Sequence, residues 1–126
     1  MANLIFESEI HHKSDKVNLH LNVLIFQEDG VYIAYCAPLD ISAFGNSEEE
    51  AKREFELTVT QYFTYCLNKK TLAKDLKAHG WTVKSSKKFK APSDENMLAS
   101  NETYKDIREN KNYKVIEKSV TIPAVY

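Results

Sequence analysis

Val17-Asn-Leu-His-Leu-Asn-Val-Leu-Ile-Phe26 puts Val17, Leu19, Leu21, Val23 and Ile25 on one side of an extended chain, with polar residues opposite in its first half. A period of two sustained this long predicts a strand. Next come Glu28, Asp29 and Gly30, and the Asp-Gly pair supplies the positive φ that a tight hairpin turn requires. Val31-Tyr-Ile-Ala-Tyr-Cys36 then resumes β-branched and aromatic character, so the two strands pair antiparallel. Pro38 removes a ladder donor and restricts Ala37, while Ile41-Ser-Ala-Phe44 ends at Gly45, which predicts a third strand reached through a bend. The three strands form a meander.

Ser47-Glu-Glu-Glu50 is a capping box, in which the Glu50 amide donates to the Ser47 hydroxyl and the Glu50 carboxylate reaches back to the Ser47 amide. The helix it opens runs to about Asn68. Ala51, Phe55, Val59, Tyr62, Phe63 and Cys66 recur at spacings of three and four along it and make one apolar stripe for docking on the sheet. Leu72, Ala73 and Leu76 line a short second helix from Thr71 to Ala78, with Gly80 in the left-handed position after His79. Trp81-Thr-Val83 alternates as a brief strand, and Lys84 to Lys90 reads as a basic loop. Met97, Leu98, Tyr104 and Ile107 suggest weak helices, and Val115 to Pro123 is a terminal strand that returns to the sheet edge. The expected class is α+β, in the order β-β-β-α-α-β with an extension ending in a strand. Residues 1–90 form the domain; residues 91–126 pack on it and do not stand alone.

Composition agrees with one modest core. The chain has 126 residues, 43% of them hydrophobic and 28% charged, which suits a single globular domain. Seventeen basic and 18 acidic side chains nearly cancel, leaving a formal charge of -1, so attraction for a polyanion would need a local patch. The two cysteines, Cys36 and Cys66, provide no disulfide framework. The amino-terminal residues lack a basic n-region and a long apolar h-region, and no stretch approaches a bilayer-spanning length, so the expected location is cytoplasmic with no membrane partner.

Candidate chemistry is sparse in the sequence. Asp29 falls in a turn and Asp40 in a bend, and the glutamates of the helix are explained by capping and solvation, so no catalytic carboxylate cluster is expected. His11, His12 and His20 lack the spacing of a metal site. Cys36 and Cys66 read as small hydrophobes within apolar elements. Gly30, Gly45 and Gly80 are isolated, so no phosphate cradle forms and no cofactor is implied. Lys84, Lys87, Lys88 and Lys90 around Phe89 are the nucleic-acid candidates, with the lysines on phosphates and the ring on an unpaired base; a solvated loop is the plainer reading. Tyr32 and Tyr35 lie on opposite faces of their strand, which leaves one of them peripheral and suited to a protein interface.

Asp29-Gly-Val-Tyr-Ile-Ala-Tyr-Cys-Ala-Pro-Leu-Asp-Ile41, followed by Phe44-Gly-Asn-Ser-Glu-Glu-Glu-Ala51, resembles the HicB-like antitoxin family. The likeness covers roughly Val17 to Val83, and one residue, Ala37, intervenes between Cys36 and Pro38 where the family joins them directly. The resemblance implies a partial ribonuclease-H-like core in a small cytosolic protein that neutralises an RNA-cleaving HicA-like toxin by covering it. The enzyme would then be the partner, not this chain. A basic partner favours an acidic face, for which Glu48, Glu49, Glu54 and Glu56 at the helix start are the candidates, with Tyr32, Tyr35 and Asp40 as contact residues. Many relatives append a DNA-binding module after the core. Here Ser119 to Pro123 begins like a ribbon strand with no following helices, which places operator binding in doubt and makes pairing with a second copy physically reasonable.

Overall fold

The computed structural model describes residues 9–13, 16–85 and 88–123, with side chains from Asn18 to Thr82 and from Phe89 to Ile122. In chain order the elements are β1 (Glu9–Lys13), β2 (Lys16–Glu28), β3 (Val31–Cys36), β4 (Ile41–Gly45), α1 (Glu48–Lys69), α2 (Leu72–Ala78), β5 (Thr82–Ser85), β6 (Lys88–Lys90), α3 (Asp94–Ser100), α4 (Glu102–Asn110) and β7 (Lys114–Pro123). The fold is α+β, and the meander followed by a long helix is present as β2, β3, β4 and α1.

Everything hangs on β2. Asp29 and Gly30 both adopt positive φ, at 53° and 80°, and this turn sets β3 against the second half of β2, with Leu24 opposite Tyr35 and Glu28 opposite Val31. β7 pairs antiparallel with residues 16–25 of β2, from Lys16 opposite Pro123 to Ile25 opposite Lys114. Because β1 also pairs with residues 16–20, and β3 with residues 24–28, the two must divide the edge of β2 that β7 leaves free. β4 continues outward from β3, and β6 then β5 continue from β1. The terminal strand thus fills a place beside the central strand of the sheet.

Period two sorts β2 between two cores. Leu19, Leu21, Val23 and Ile25 face one way and pack with Phe55, Val59, Phe63 and Cys66 of α1, Leu72 and Leu76 of α2, and Val120 and Ile122 of β7. Fully burying each of the larger side chains contributes about 1.5–3 kcal/mol, so this layer is the main source of stability. Leu24 and Phe26 face the other way and meet Tyr35, Met97, Tyr104 and Ile107, so α3 and α4 cover the second face. Helices therefore lie on both faces of the sheet, one cover more than the apolar stripe of α1 predicts.

The junction of β4 with α1 is tight. The Glu50 amide donates to Ser47 Oγ at 3.1 Å, as the capping box requires, but the Glu50 carboxylate accepts from the Asn46 amide at 3.2 Å, one residue earlier than Ser47. A Cβ on Gly45 would stand 2.5 Å from the Ala51 backbone nitrogen, so only glycine allows the strand end this close to the first helical turn. At its far end α1 stops at Lys70 in the left-handed conformation (φ 58°), where the Thr71 amide donates to the Cys66 carbonyl. Thr71 occupies the cap position of α2, yet its side chain makes no capping bond there.

Two stretches add strands beyond those expected, one of them legible as alternation and the other not. The presumed basic loop is a hairpin: Lys84 belongs to β5 and Lys88, Phe89 and Lys90 to β6, while Lys87 lies outside the described residues. β1 pairs with both β2 and β6 although Glu-Ile-His-His-Lys has a single aliphatic residue. Among the described residues, no helix is long and apolar enough to cross a membrane.

Candidate functional site

α4 does not cover the whole of its face of the sheet. β4 lies outermost, and its even-numbered residues Ser42 and Phe44 stand opposite Tyr35 and Ile33 of β3 on the α4 side. Phe44 is 58% exposed, although its cross-strand partner Ile33 is apolar. Between β4 and α4 runs a groove of about 380 Å3 lined by Phe26, Ile33, Tyr35 and Ile107, with Phe44 at its outer wall. Glu28, Asp40, Asp106 and Lys111 form its rim. A second groove of about 760 Å3 lies between the end of α2 and the start of α4, lined by His79, Asn96, Ser100 and Glu102 among others. Asp40 and Thr103 line both grooves, so the two meet there.

A polar cluster fixes that meeting point. Asp40 takes a positive φ of 52° in the bend before β4, and Tyr35 Oη donates to its Oδ1 at 2.7 Å. Asn101, between α3 and α4, donates from Nδ2 to the same phenolic oxygen at 2.9 Å, while its Oδ1 caps α4 by accepting from the Tyr104 amide. Burial, then the Asp40 carboxylate, pushes the Tyr35 hydroxyl well above its ordinary range, so it remains a donor. From the far side Trp81 Nε1 donates to the Pro38 carbonyl at 2.8 Å and pins the bend to the start of β5. Deeper in the same layer, Tyr104, Asp94 and Arg108 form a second cluster: Tyr104 Oη donates to Asp94, and Arg108 Nη1 reaches both at 2.7 Å. This cluster clasps α3 to α4.

The candidates taken from the sequence do not converge. Tyr35 is buried to 3% exposure, so its ring is core and only its hydroxyl serves the site; Tyr32 is half-buried against the α1 side. Asp40 is exposed and on the rim, as a contact residue needs. The acidic start of α1 is largely neutralised. Glu48 accepts from Lys114 at 2.7 Å and Lys52 at 3.0 Å, Glu49 lies 3.6 Å from Lys52, and Glu56 pairs with Lys118 at 2.9 Å. Lys114 and then Lys52 hold the Glu48 carboxyl below its usual value. Only Glu54 of that set is exposed with no ion pair among the described residues. Phe89 is 4% exposed and packs in the main core, so it presents no face on which a base could stack. Lys90 is exposed, and the side chains of Lys84, Lys87 and Lys88 lie outside the described ones.

No family model, curated protein or solved structure matches the chain. The site therefore has to be read from its own geometry.

Both thiols are held protonated. Burial pushes Cys36 up to about 12 and Cys66 up to about 11, the latter helped by its bond to Asp75 Oδ2 at 3.1 Å. Thiols shifted in this direction are poor nucleophiles. Among the described residues, no group of three or more histidine, cysteine or carboxylate side chains is placed to hold a metal. What the groove does offer is recognition. It has an apolar floor, an exposed aromatic at its lip, and a rim on which, among the described residues, Asp40 and Asp106 accept from the neutral donors Tyr35 and Asn110. Lys111 is satisfied by Glu28 at 3.4 Å. The sequence reading missed Phe44 and Asp106 as site residues, although Phe44, at an even position in a strand whose odd positions face α1, could have been found by alternation alone.

Proposed function

We propose that the chain is a non-enzymatic binding protein of antitoxin type, which neutralises a basic RNA-cleaving partner by covering its active or RNA-binding surface. The observation that carries the reading is the groove beside Phe44: an exposed aromatic over an apolar floor, with Asp40 and Asp106 on the rim and, among the described residues, in hydrogen bonds to Tyr35 and Asn110 rather than in ion pairs. Aromatic anchors ringed by charge are the usual make-up of a protein interface, and negative rim charges favour a positively charged partner. The resemblance of the Asp29-to-Ile41 and Phe44-to-Ala51 segments to HicB-like antitoxins points to the same class of partner, a HicA-like toxin. The acidic surface assigned to the partner moves from the start of α1 to this rim, because lysines of α1 and β7 balance the glutamates there.

The test is co-expression with a candidate toxin, co-purification, and an RNA-cleavage assay. The expected result is a stoichiometric complex in which RNA survives. Purified protein that neither binds nor inhibits any such toxin counts against the reading. A scaffold that binds RNA through Lys84 to Lys90 predicts instead direct, salt-sensitive RNA affinity in the absence of a toxin.

A further inference from the structure

Three strands lie outermost in the sheet, β4, β5 and β7, and β7 and β4 are protected very differently. β7 presents Lys114, Glu117 and Lys118 and ends in Pro123, which are the residue types that discourage another strand from pairing alongside. β4 reads Ile-Ser-Ala-Phe-Gly, with no charge and no proline, and it is outermost in the sheet order. Among the described residues no turn or loop backbone bond satisfies the outer side of Ile41 to Gly45. The unprotected margin is also the one that adjoins the groove. The other two exposed large apolar side chains, Leu57 and Tyr65, stand singly two turns apart on the solvent side of α1, as isolated surface hydrophobes commonly do.

We infer that β4 takes up an extended, basic segment of a partner protein as an additional strand, with alternate side chains of that segment entering the groove beside Phe44. This deepens the binding reading above and rests on it for the partner's class. A strand laid along Ile41 to Gly45 satisfies the free backbone groups of β4, and spans ~17 Å at ~3.4 Å per residue. Its period of two turns every second side chain toward Phe44, Ile33 and Ile107, and a lysine or arginine at the next such position comes within reach of Asp40 or Asp106. Charge decides between occupants. A second copy pairing through its own β4 would bring another Asp40 and Asp106 to the same seam, setting like charges against each other, whereas a basic segment supplies the missing counter-charge.

The probe is a short synthetic strand whose one face carries valine and lysine in turn and whose other face is threonine (Val-Thr-Lys-Thr-Val-Thr-Lys), titrated against the full chain while amide hydrogen exchange is followed. Saturable binding with slowed exchange at residues 41–45 is expected, and an analogue with glutamate in place of lysine should not bind. The same basic peptide N-methylated on alternate backbone nitrogens keeps its side chains but loses the ladder donors, and should bind more than about tenfold more weakly. Phe44→Lys, at an exposed position whose folding is checked by thermal melting, should lose a similar factor, as for loss of an interface aromatic worth more than about tenfold. Equal binding of the N-methylated peptide, protection at residues 114–123 instead of 41–45, or a dimer that Phe44→Lys dissociates would each overturn the inference. The two proposals separate cleanly. Peptide capture at β4 with no toxin inhibited sinks the antitoxin reading and leaves strand addition standing. Inhibition of a toxin that is indifferent to Phe44→Lys does the reverse.

Discussion

The two faces of the sheet are built from the same strands but finished differently. On the α1 side, Leu19, Leu21, Val23 and Ile25 meet Phe55, Val59 and Phe63 in a layer of aliphatic and aromatic side chains. On the α4 side, a smaller apolar set is interleaved with two hydrogen-bonded clusters, Tyr35–Asp40–Asn101 and Tyr104–Asp94–Arg108, and the cover stops short of β4. The difference separates duties. A continuous apolar layer stabilises without regard to orientation, whereas directional bonds fix where α3 and α4 sit, and so fix the width of the groove they leave open.

That division can be broken by substitution. Phe63→Ala on the α1 side should lower unfolding free energy by about 3–5 kcal/mol, a large part of the total for a domain of this size, as measured by denaturant titration. Tyr104→Phe on the other side removes bonds to Asp94 and Arg108 while leaving their ion pair; the expected cost is about 1.5–3 kcal/mol. The distinguishing sign is early loss of amide protection in residues 94–110 with the α1 face intact. The comparison can be sharpened by pH. Burial raises the hydroxyls of Tyr35 and Tyr104 on the α4 side, and of Tyr62 on the α1 side, above their ordinary value of 10.0, so the unfolded chain loses those protons first. Their contribution is complete below pH 10 and falls as pH rises beyond it. Ultraviolet titration should show them ionising together with unfolding. Gly45→Ala pushes a methyl into the backbone of α1 and should cost about 1–3 kcal/mol, read from the thermal midpoint. Phe44→Lys should change stability by no more than about 0.5 kcal/mol while weakening partner binding more than about tenfold.

The α1 half of this comparison is legible in the sequence. Alternation from Leu19 to Ile25, the Asp29-Gly30 turn and the Ser47 capping box each specify a local geometry, and together they specify how α1 meets the sheet. The α4 half is less so, for a physical reason. Tyr104 and Ile107, three apart, announce a helix with one apolar side, but a nine-residue helix carries no local instruction about which face of a sheet it will cover. The instruction lies elsewhere, in Val23-Leu-Ile-Phe26, whose unbroken apolar run means burial on both faces. Lys88-Phe89-Lys90 misleads similarly: charge suggests a loop, while the alternation is that of a strand with its middle residue buried. β1 is held by backbone pairing on both sides, which side-chain patterning hardly registers. The site itself is assembled from residues distant in sequence, Phe44 from β4, Asp40 from a bend and Asp106 from α4, so only the fold brings them together.

The most direct test of the account follows amide exchange across the whole chain when a neutralised RNA-cleaving partner is bound. Protection should rise along residues 41–45 and at the α4 rim, and stay unchanged along residues 114–123 and on the outer side of α1. New protection centred on the start of α1 or on β7, with β4 exchanging as freely as before, would contradict it.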